Sequence, residues 1–245
     1  MGASYSKSGY ETGCAPFGPE LVTTQAAFEQ GASAAAEISL DLWRYLYVKR
    51  VIDLLLGSVM LVAFLVPGLL IAVLIALTST GAVFYREERI GRNGRRFRIW
   101  KFRTMYADSW RRGGTAPYQS SGAILHWRTA KRLRDPRITA VGRVLRSWSL
   151  DELPQVINVL NGEMSLVGPR PIVHAECALY ADSLPFYLAA VPGLSGLWQV
   201  SGRCDLEYED RVALDARYVS NWSLRSDLAI LLRTLPAVLS REGAY

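Results

Sequence analysis

The chain has 245 residues, half of them hydrophobic, with a net charge of +6 and a pI of about 9.3. That length allows one sizeable domain or two small ones, and the basic balance suits an anionic partner: nucleic acid, an anionic membrane or a phosphorylated substrate. Three scattered cysteines, Cys14, Cys177 and Cys204, argue against a disulfide framework or a zinc motif, and only two histidines, His126 and His174, argue against a multi-histidine metal centre.

Residues 1–40 are rich in Gly, Ala, Ser and Thr and show no apolar stretch of secretory-signal type. Residues 1–47 therefore read as a mobile tail and lead-in. From Leu54 to Leu77 the chain carries no charge for 24 residues. As a helix this run reaches about 36 Å, against about 30 Å for a hydrocarbon core. Two features oppose a simple span. Arg44, Lys49 and Arg50 precede the run, and Arg86, Arg89, Arg92, Arg95, Arg96, Arg98, Lys101 and Arg103 follow it. Positive charge prefers the cytoplasmic side, so both ends favour the same face. Pro67-Gly68 also sits near the middle, where proline removes a backbone donor. The expectation is a proline-broken, re-entrant membrane helix over residues 48–80, with a domain over residues 81–245.

Asn93-Gly94 lies between two partly alternating runs and predicts a basic β-hairpin. Such a ribbon suits anionic lipid headgroups or a phosphorylated substrate. Further basic residues follow in Arg128–Arg146. No recognised nucleic-acid module accompanies them, so lipid phosphate is the better partner. "VPGLSGLWQVSGR" reads as a loop, "LEYEDRVALDARYVSNWS" as a charged helix. "LRSDLAILLRTLPAVLS" is too short and too charged to span, and fits an interfacial helix as well as a core helix. His174 and Trp198 read as packing or surface residues.

Asp151 and Glu152 stand in "SWSLDELPQ". Ser149 and Glu152 fit a capping box, while Asp151 as N-cap leaves Pro154 within a first turn. Capping alone is the simpler account of the acids. A helix start is also an anion site, however, and "GPRP" offers Arg170 from a turn stiffened by two prolines. Guanidinium forks match phosphate oxygens. Acids, arginines and stiff loops are what phosphoryl transfer requires.

"KRVIDLLLG", "YREERIGRNGRRFRIWKFRTM", "DPRITAVGRVLRSWSLDELPQVINVLNGEMSLVGPRP" and "PGLSGLWQVSGR", in that order, resemble the bacterial sugar transferases, monotopic phosphoglycosyl transferases that act on polyprenyl phosphate. The likeness covers about residues 48–245, and its final part is most similar to the ExoY-type exopolysaccharide enzymes. The resemblance implies a mainly helical α+β protein: a monotopic anchor broken at Pro67, a basic β-hairpin and a cytoplasmic catalytic domain with interfacial helices, at the cytoplasmic face of a bacterial inner membrane. Val66 stands where the family often has serine before its proline. The implied reaction moves a sugar 1-phosphate, of galactose or glucose, from a UDP-sugar to undecaprenyl phosphate as the first membrane step of exopolysaccharide synthesis. Asp151 is the implied nucleophile and Glu152 the implied Mg²⁺ ligand. Arg170, with Lys101, Arg103 and Arg203, is implied in substrate binding. Anionic lipid is a further expected partner and nucleic acid is not; oligomeric state is open, a homodimer being one option. A glycosyltransferase releasing UDP, or a non-catalytic polysaccharide assembly protein, are the competing readings.

Overall fold

A computed structural model describes residues 39–108, 135–202 and 206–240. Most of the expected tail lies outside the described residues. The architecture is mostly helical with two small sheets.

Helix α1 runs from Ser39 to Thr78 and is apolar all round from Leu54 onward. Among the described residues it is the one helix long and apolar enough to cross a membrane. A break at Pro67 is expected from the sequence. The chain instead stays helical on both sides of Pro67, where proline has no N–H to give to the ladder.

The root of α1 is polar and buried. Lys49 Nζ donates to Asp227 Oδ2 at 2.7 Å and to Tyr218 Oη at 3.1 Å. Asp53 Oδ1 accepts from Ser165 Oγ at 3.0 Å and from the Leu166 N–H at 2.9 Å. Arg50 donates to the carbonyls of Val159 and Leu160, both at 2.6 Å. These bonds satisfy groups whose burial would otherwise be costly. Further along, Met60 packs on a core containing Phe97, Val159 and Met164. Near the far end, Ile71, Ala72 and Ile75 pack against Phe102 and Leu145. Other apolar residues of α1, including Leu55, Val59, Val62, Leu65, Leu69 and Leu77, are exposed.

Strands β1 (Phe84–Ile90) and β2 (Arg96–Phe102) pair antiparallel, Phe84 opposite Phe102 and Ile90 opposite Arg96. Between them Asn93 and Gly94 both take positive φ, 56° and 72°, the conformation Asn-Gly adopts easily. Alternation along β2 turns Phe97 and Ile99 into the core, and puts Lys101 on the same face. The outer edge of β2 is closed by Asn158, which is fully buried. Its Oδ1 accepts from the Trp100 N–H at 3.0 Å, and its Nδ2 donates to the Arg98 carbonyl at 2.9 Å.

Helix α2 (Ala140–Ser147) is capped by Thr139 Oγ1, which accepts from the Gly142 N–H at 2.8 Å. A 3₁₀ turn over Leu150–Gln155 leads into α3 (Val156–Asn161), which ends at Gly162 in the left-handed region. Strand β3 (Ser165–Val167) then pairs in parallel with β4 (Gly193–Ser195). That second strand lies in the glycine-rich stretch expected to be a loop. Its glycines allow the contact: a Cβ on Gly193 would stand 2.1 Å from the Gly168 nitrogen. Short helices α4 (Cys177–Tyr180) and α5 (Leu184–Ala189) join Ile90, Ile172 and Val212 in a further apolar cluster.

Helices α6 (Tyr208–Ser220) and α7 (Leu224–Ser240) close the fold. Helix α7, for which the sequence left an interfacial and a core placement open, has one buried and one exposed side. Asp227 and Ile230 are buried, while Leu224, Leu228, Leu232, Leu235 and Leu239 form an exposed stripe at helical spacing. Trp198 is buried beneath the Arg211 guanidinium, 4.9 Å from ring centre, and is a packing residue as its sequence context implies.

Candidate active site

The acidic pair lies in the 3₁₀ turn, not at the capped start of an α-helix. Ser149, before the turn, adopts φ 55° and its side chain makes no capping bond. Neither capping option read from the sequence is realised. The cause is the charge on the far side: Glu152 Oε1 accepts from Lys101 Nζ at 2.8 Å and from Arg170 Nη2 at 3.0 Å. Two charge-assisted bonds outcompete one backbone N–H.

Each partner is placed by a different element. Lys101 comes from β2, held at its outer edge by Asn158. Arg170 comes from the segment after β3, whose backbone is pinned on both sides. The Gly168 N–H donates to the Ser195 carbonyl at 2.8 Å, and the Gly193 N–H to the Pro169 carbonyl at 2.7 Å. Arg89 Nη1 donates to the Pro171 carbonyl at 3.0 Å, and Tyr187 Oη accepts from the Ile172 N–H at 3.1 Å. The Pro-Arg-Pro turn is therefore braced by β1, β4 and α5 together.

The two neighbouring acids are driven apart electrostatically. Burial opposes ionisation of Glu152, yet Arg170 and then Lys101 outweigh it and hold its carboxyl well below the usual range. Burial raises the Asp151 carboxyl, and the charge of Glu152 raises it further, against the pull of Lys101 and Arg146. Such a split pair gives two acids two different roles.

Of the residues singled out in the sequence, Asp151, Glu152, Lys101 and Arg170 converge. Arg103 does not: it donates to the carbonyl of Ala82 and, at 2.7 Å, to that of Ser79, tying down the end of α1. Arg203 lies outside the described residues. The sequence reading missed Arg146, which acts on Asp151 from the last turn of α2 while its Nε donates to Thr104 Oγ1 at 2.9 Å. Its place five positions before Asp151 was visible, but a run of basic residues gave no reason to choose it. Arg89 and Gln155, which line a cleft with Lys101 and Arg170, were missed too.

Comparison with known proteins shows the family of the chain. A family model described as bacterial sugar transferase matches residues 44–241. The exopolysaccharide production protein ExoY of Sinorhizobium fredii is 47% identical over 198 residues, covering 80% of this chain and 88% of that protein. The UDP-glucose:undecaprenyl-phosphate glucose-1-phosphate transferase of Caulobacter vibrioides is 42% identical over 206 residues, 80% of this chain and 72% of its own. The undecaprenyl-phosphate galactose phosphotransferase of Salmonella typhimurium is 44% identical over 200 residues, 81% of this chain but 42% of its own length. With the matched region spanning the long apolar helix, the acidic turn and the Pro-Arg-Pro segment, the chain belongs to the bacterial sugar transferase family.

Proposed function

We propose that this phosphoglycosyl transferase moves galactose or glucose 1-phosphate from a UDP-sugar to undecaprenyl phosphate, releasing UMP. The observation that carries the reading is the buried acidic pair with Glu152 clamped between Lys101 and Arg170. Asp151 is the nucleophile. A carboxylate oxygen bonds to the sugar-bearing phosphorus while the bridging P–O bond breaks and its electron pair leaves on UMP. An oxygen of undecaprenyl phosphate then attacks the same phosphorus, expelling Asp151 and forming undecaprenyl diphosphate-sugar. A raised Asp151 pKa favours this role, because a more basic carboxylate is a stronger nucleophile once ionised. Arg170 and Lys101 offset the repulsion between carboxylate and diphosphate. The names of the Caulobacter and Salmonella relatives support both the lipid acceptor and the choice of sugar, and the name of the Sinorhizobium relative supports a role in exopolysaccharide production.

Magnesium fits these residues. Both hydrogen bonds to Glu152 fall on Oε1, and a hard cation needs only one or two carboxylates when substrate phosphates complete its shell. Among the described residues no set of three or more acidic, His or Cys side chains gathers for a metal, so Glu152 with donor oxygens is the arrangement expected. When bound, Mg²⁺ neutralises diphosphate charge.

The re-entrant placement of α1 is part of the proposal. The same domain grips Lys49, Asp53 and Met60 near one end and Ile71–Ile75 near the other. A helix crossing the bilayer would carry those two contact zones to different depths. Entry and exit at the cytoplasmic face of the inner membrane suit a site that meets a soluble nucleotide and a lipid-borne phosphate. Cysteines placed at Tyr47 and Ala82 test this: labelling of both from the cytoplasmic side is expected, and labelling from opposite sides overturns it. Release of UDP in place of UMP would favour simple glycosyl transfer, and an unchanged donor would favour a non-catalytic assembly role.

A further inference from the structure

Ile90, the last residue of β1, and Ile172, two positions after Arg170, form an antiparallel bridge. The Ile90 N–H donates to the Ile172 carbonyl at 2.9 Å. In a hydrogen-bonded antiparallel pair the two residues exchange both bonds. Here the second bond runs through a side chain. The Ile172 N–H donates to Tyr187 Oη at 3.1 Å, and Tyr187 Oη donates to the Ile90 carbonyl at 2.6 Å. A phenol can do this because its oxygen accepts and donates at once. Burial raises the Tyr187 hydroxyl above its ordinary range, so it keeps the proton that the Ile90 carbonyl accepts.

The hydroxyl is a wedge. A direct bond would bring the Ile172 nitrogen and the Ile90 oxygen to about 2.9 Å, whereas the inserted oxygen holds the bridge open on the side that leads to Arg170. The wedge is itself held. Tyr187 is buried, and the Tyr180 ring meets it edge-on with 5.2 Å between centroids. Tyr180 is fixed in turn by its hydroxyl, which donates to Asp215 Oδ2 at 2.8 Å. The peptide unit that gives its N–H to Tyr187 is gripped at its carbonyl too, where Arg89 Nη1 donates to Pro171 at 3.0 Å. One residue back, Arg170 Nη2 donates to Glu152 Oε1. Only Pro171, with its fixed φ, separates the gripped peptide unit from Arg170.

We propose that Tyr187 is a positioning residue for the reaction, its hydroxyl wedged between Ile90 and Ile172 so that Arg170 meets Glu152 where the phosphates bind. The inference rests on the role of Arg170 proposed above. The test is a double-mutant cycle on the full chain in a membrane mimetic, with release of UMP from radiolabelled UDP-galactose and UDP-glucose as readout. In Tyr187→Phe the freed Ile172 N–H and Ile90 carbonyl can bond to each other, so Tm shifts by at most about 4 °C. The bridge then closes and carries Arg170 with it, and kcat/KM falls about ten- to hundredfold. On the Arg170→Ala background the same substitution costs less than about a further twofold. A merely structural tyrosine would cost the same factor on both backgrounds. Tyr187→Met, also without a hydroxyl, supplies the cycle where the phenylalanine variant folds poorly. A loss of equal size on both backgrounds, or an unchanged kcat/KM in Tyr187→Phe, would overturn the assignment. Wild-type activity of Arg170→Ala itself would instead overturn the proposed role of Arg170, and the inference with it.

Discussion

Arg170 Nη2 meets Glu152 Oε1 at 3.0 Å, joining two segments 18 positions apart. The contact couples the Pro-Arg-Pro turn to the acidic turn and, with Lys101, holds the Glu152 carboxyl well below the usual range. Replacing Arg170 with alanine leaves Glu152 with Lys101 alone and removes the proposed phosphate clamp. We expect kcat/KM for UMP release to fall about 10²–10³-fold. Arg170→Lys should recover only part of it, because an ammonium cannot match the fork geometry. Steady-state kinetics with a saturating lipid acceptor would check both variants.

Much of this site was legible in the sequence because its chemistry is carried by short segments. "DELPQ" and "GPRP" name the acids and Arg170 within a few residues each, although the bracing of the Pro-Arg-Pro turn by β1, β4 and α5 could not be read there. The pairing of Glu152 with Lys101 was not legible, since it depends on how β2 lies against the 3₁₀ turn, 51 positions away. The capping reading failed for the same reason: local spacing cannot weigh a distant cation against a nearby N–H. Arg103 illustrates the converse, a basic residue in a matching motif that is used to anchor the end of α1. Strand β4 was hidden because its pairing relies on two glycine backbones in close approach, at Gly168 and Gly193, and a glycine-rich stretch has no apolar alternation to reveal it.

Burial and the Glu152 charge raise the Asp151 carboxyl above its model-peptide value of 3.8. A raised acid binds its proton more tightly when folded, so it favours the fold below pH about 4 and loses that contribution as pH rises through the folded value. Asp151→Asn removes this charge. Its Tm should exceed that of the wild type by about 2–4 °C at pH 7, about 1 kcal/mol for a chain of this size. The gain should shrink towards pH 4, as thermal unfolding followed across pH would reveal. Glu152 has the opposite sign. Its depressed carboxyl stabilises the fold above its ordinary value of 4.5, and that contribution is lost as the pH falls further.

Asn158 satisfies the outer edge of β2 through Trp100 and Arg98. Asn158→Leu keeps the branched heavy-atom skeleton but orphans both groups. We expect a loss of about 2–4 kcal/mol, roughly 5–15 °C in Tm, together with reduced activity because Lys101 lies one residue beyond Trp100. Calorimetry on the detergent-solubilised protein measures the first effect.

The exposed leucines of α7 share one stripe, and each buried leucine contributes about 1.5–3 kcal/mol. Leu228→Glu with Leu232→Glu should weaken binding to anionic vesicles and lower activity towards the lipid acceptor, while cores containing Ile230 stay intact. Vesicle flotation of a variant whose α1 apolar face is also made polar would separate the two anchors. Unchanged flotation would show that α7 does not contact lipid.

Asp151 as the nucleophile beside a clamped Glu152 is the centre of the proposed function. The direct measurement is to incubate the protein with a UDP-sugar labelled at the sugar-bearing phosphorus, without lipid acceptor, and to locate the label. We expect UMP in solution and labelled sugar phosphate on the protein, discharged when undecaprenyl phosphate is added and absent in Asp151→Asn. Label retained on Asp151→Asn, or UDP in solution with an unlabelled protein, would contradict it.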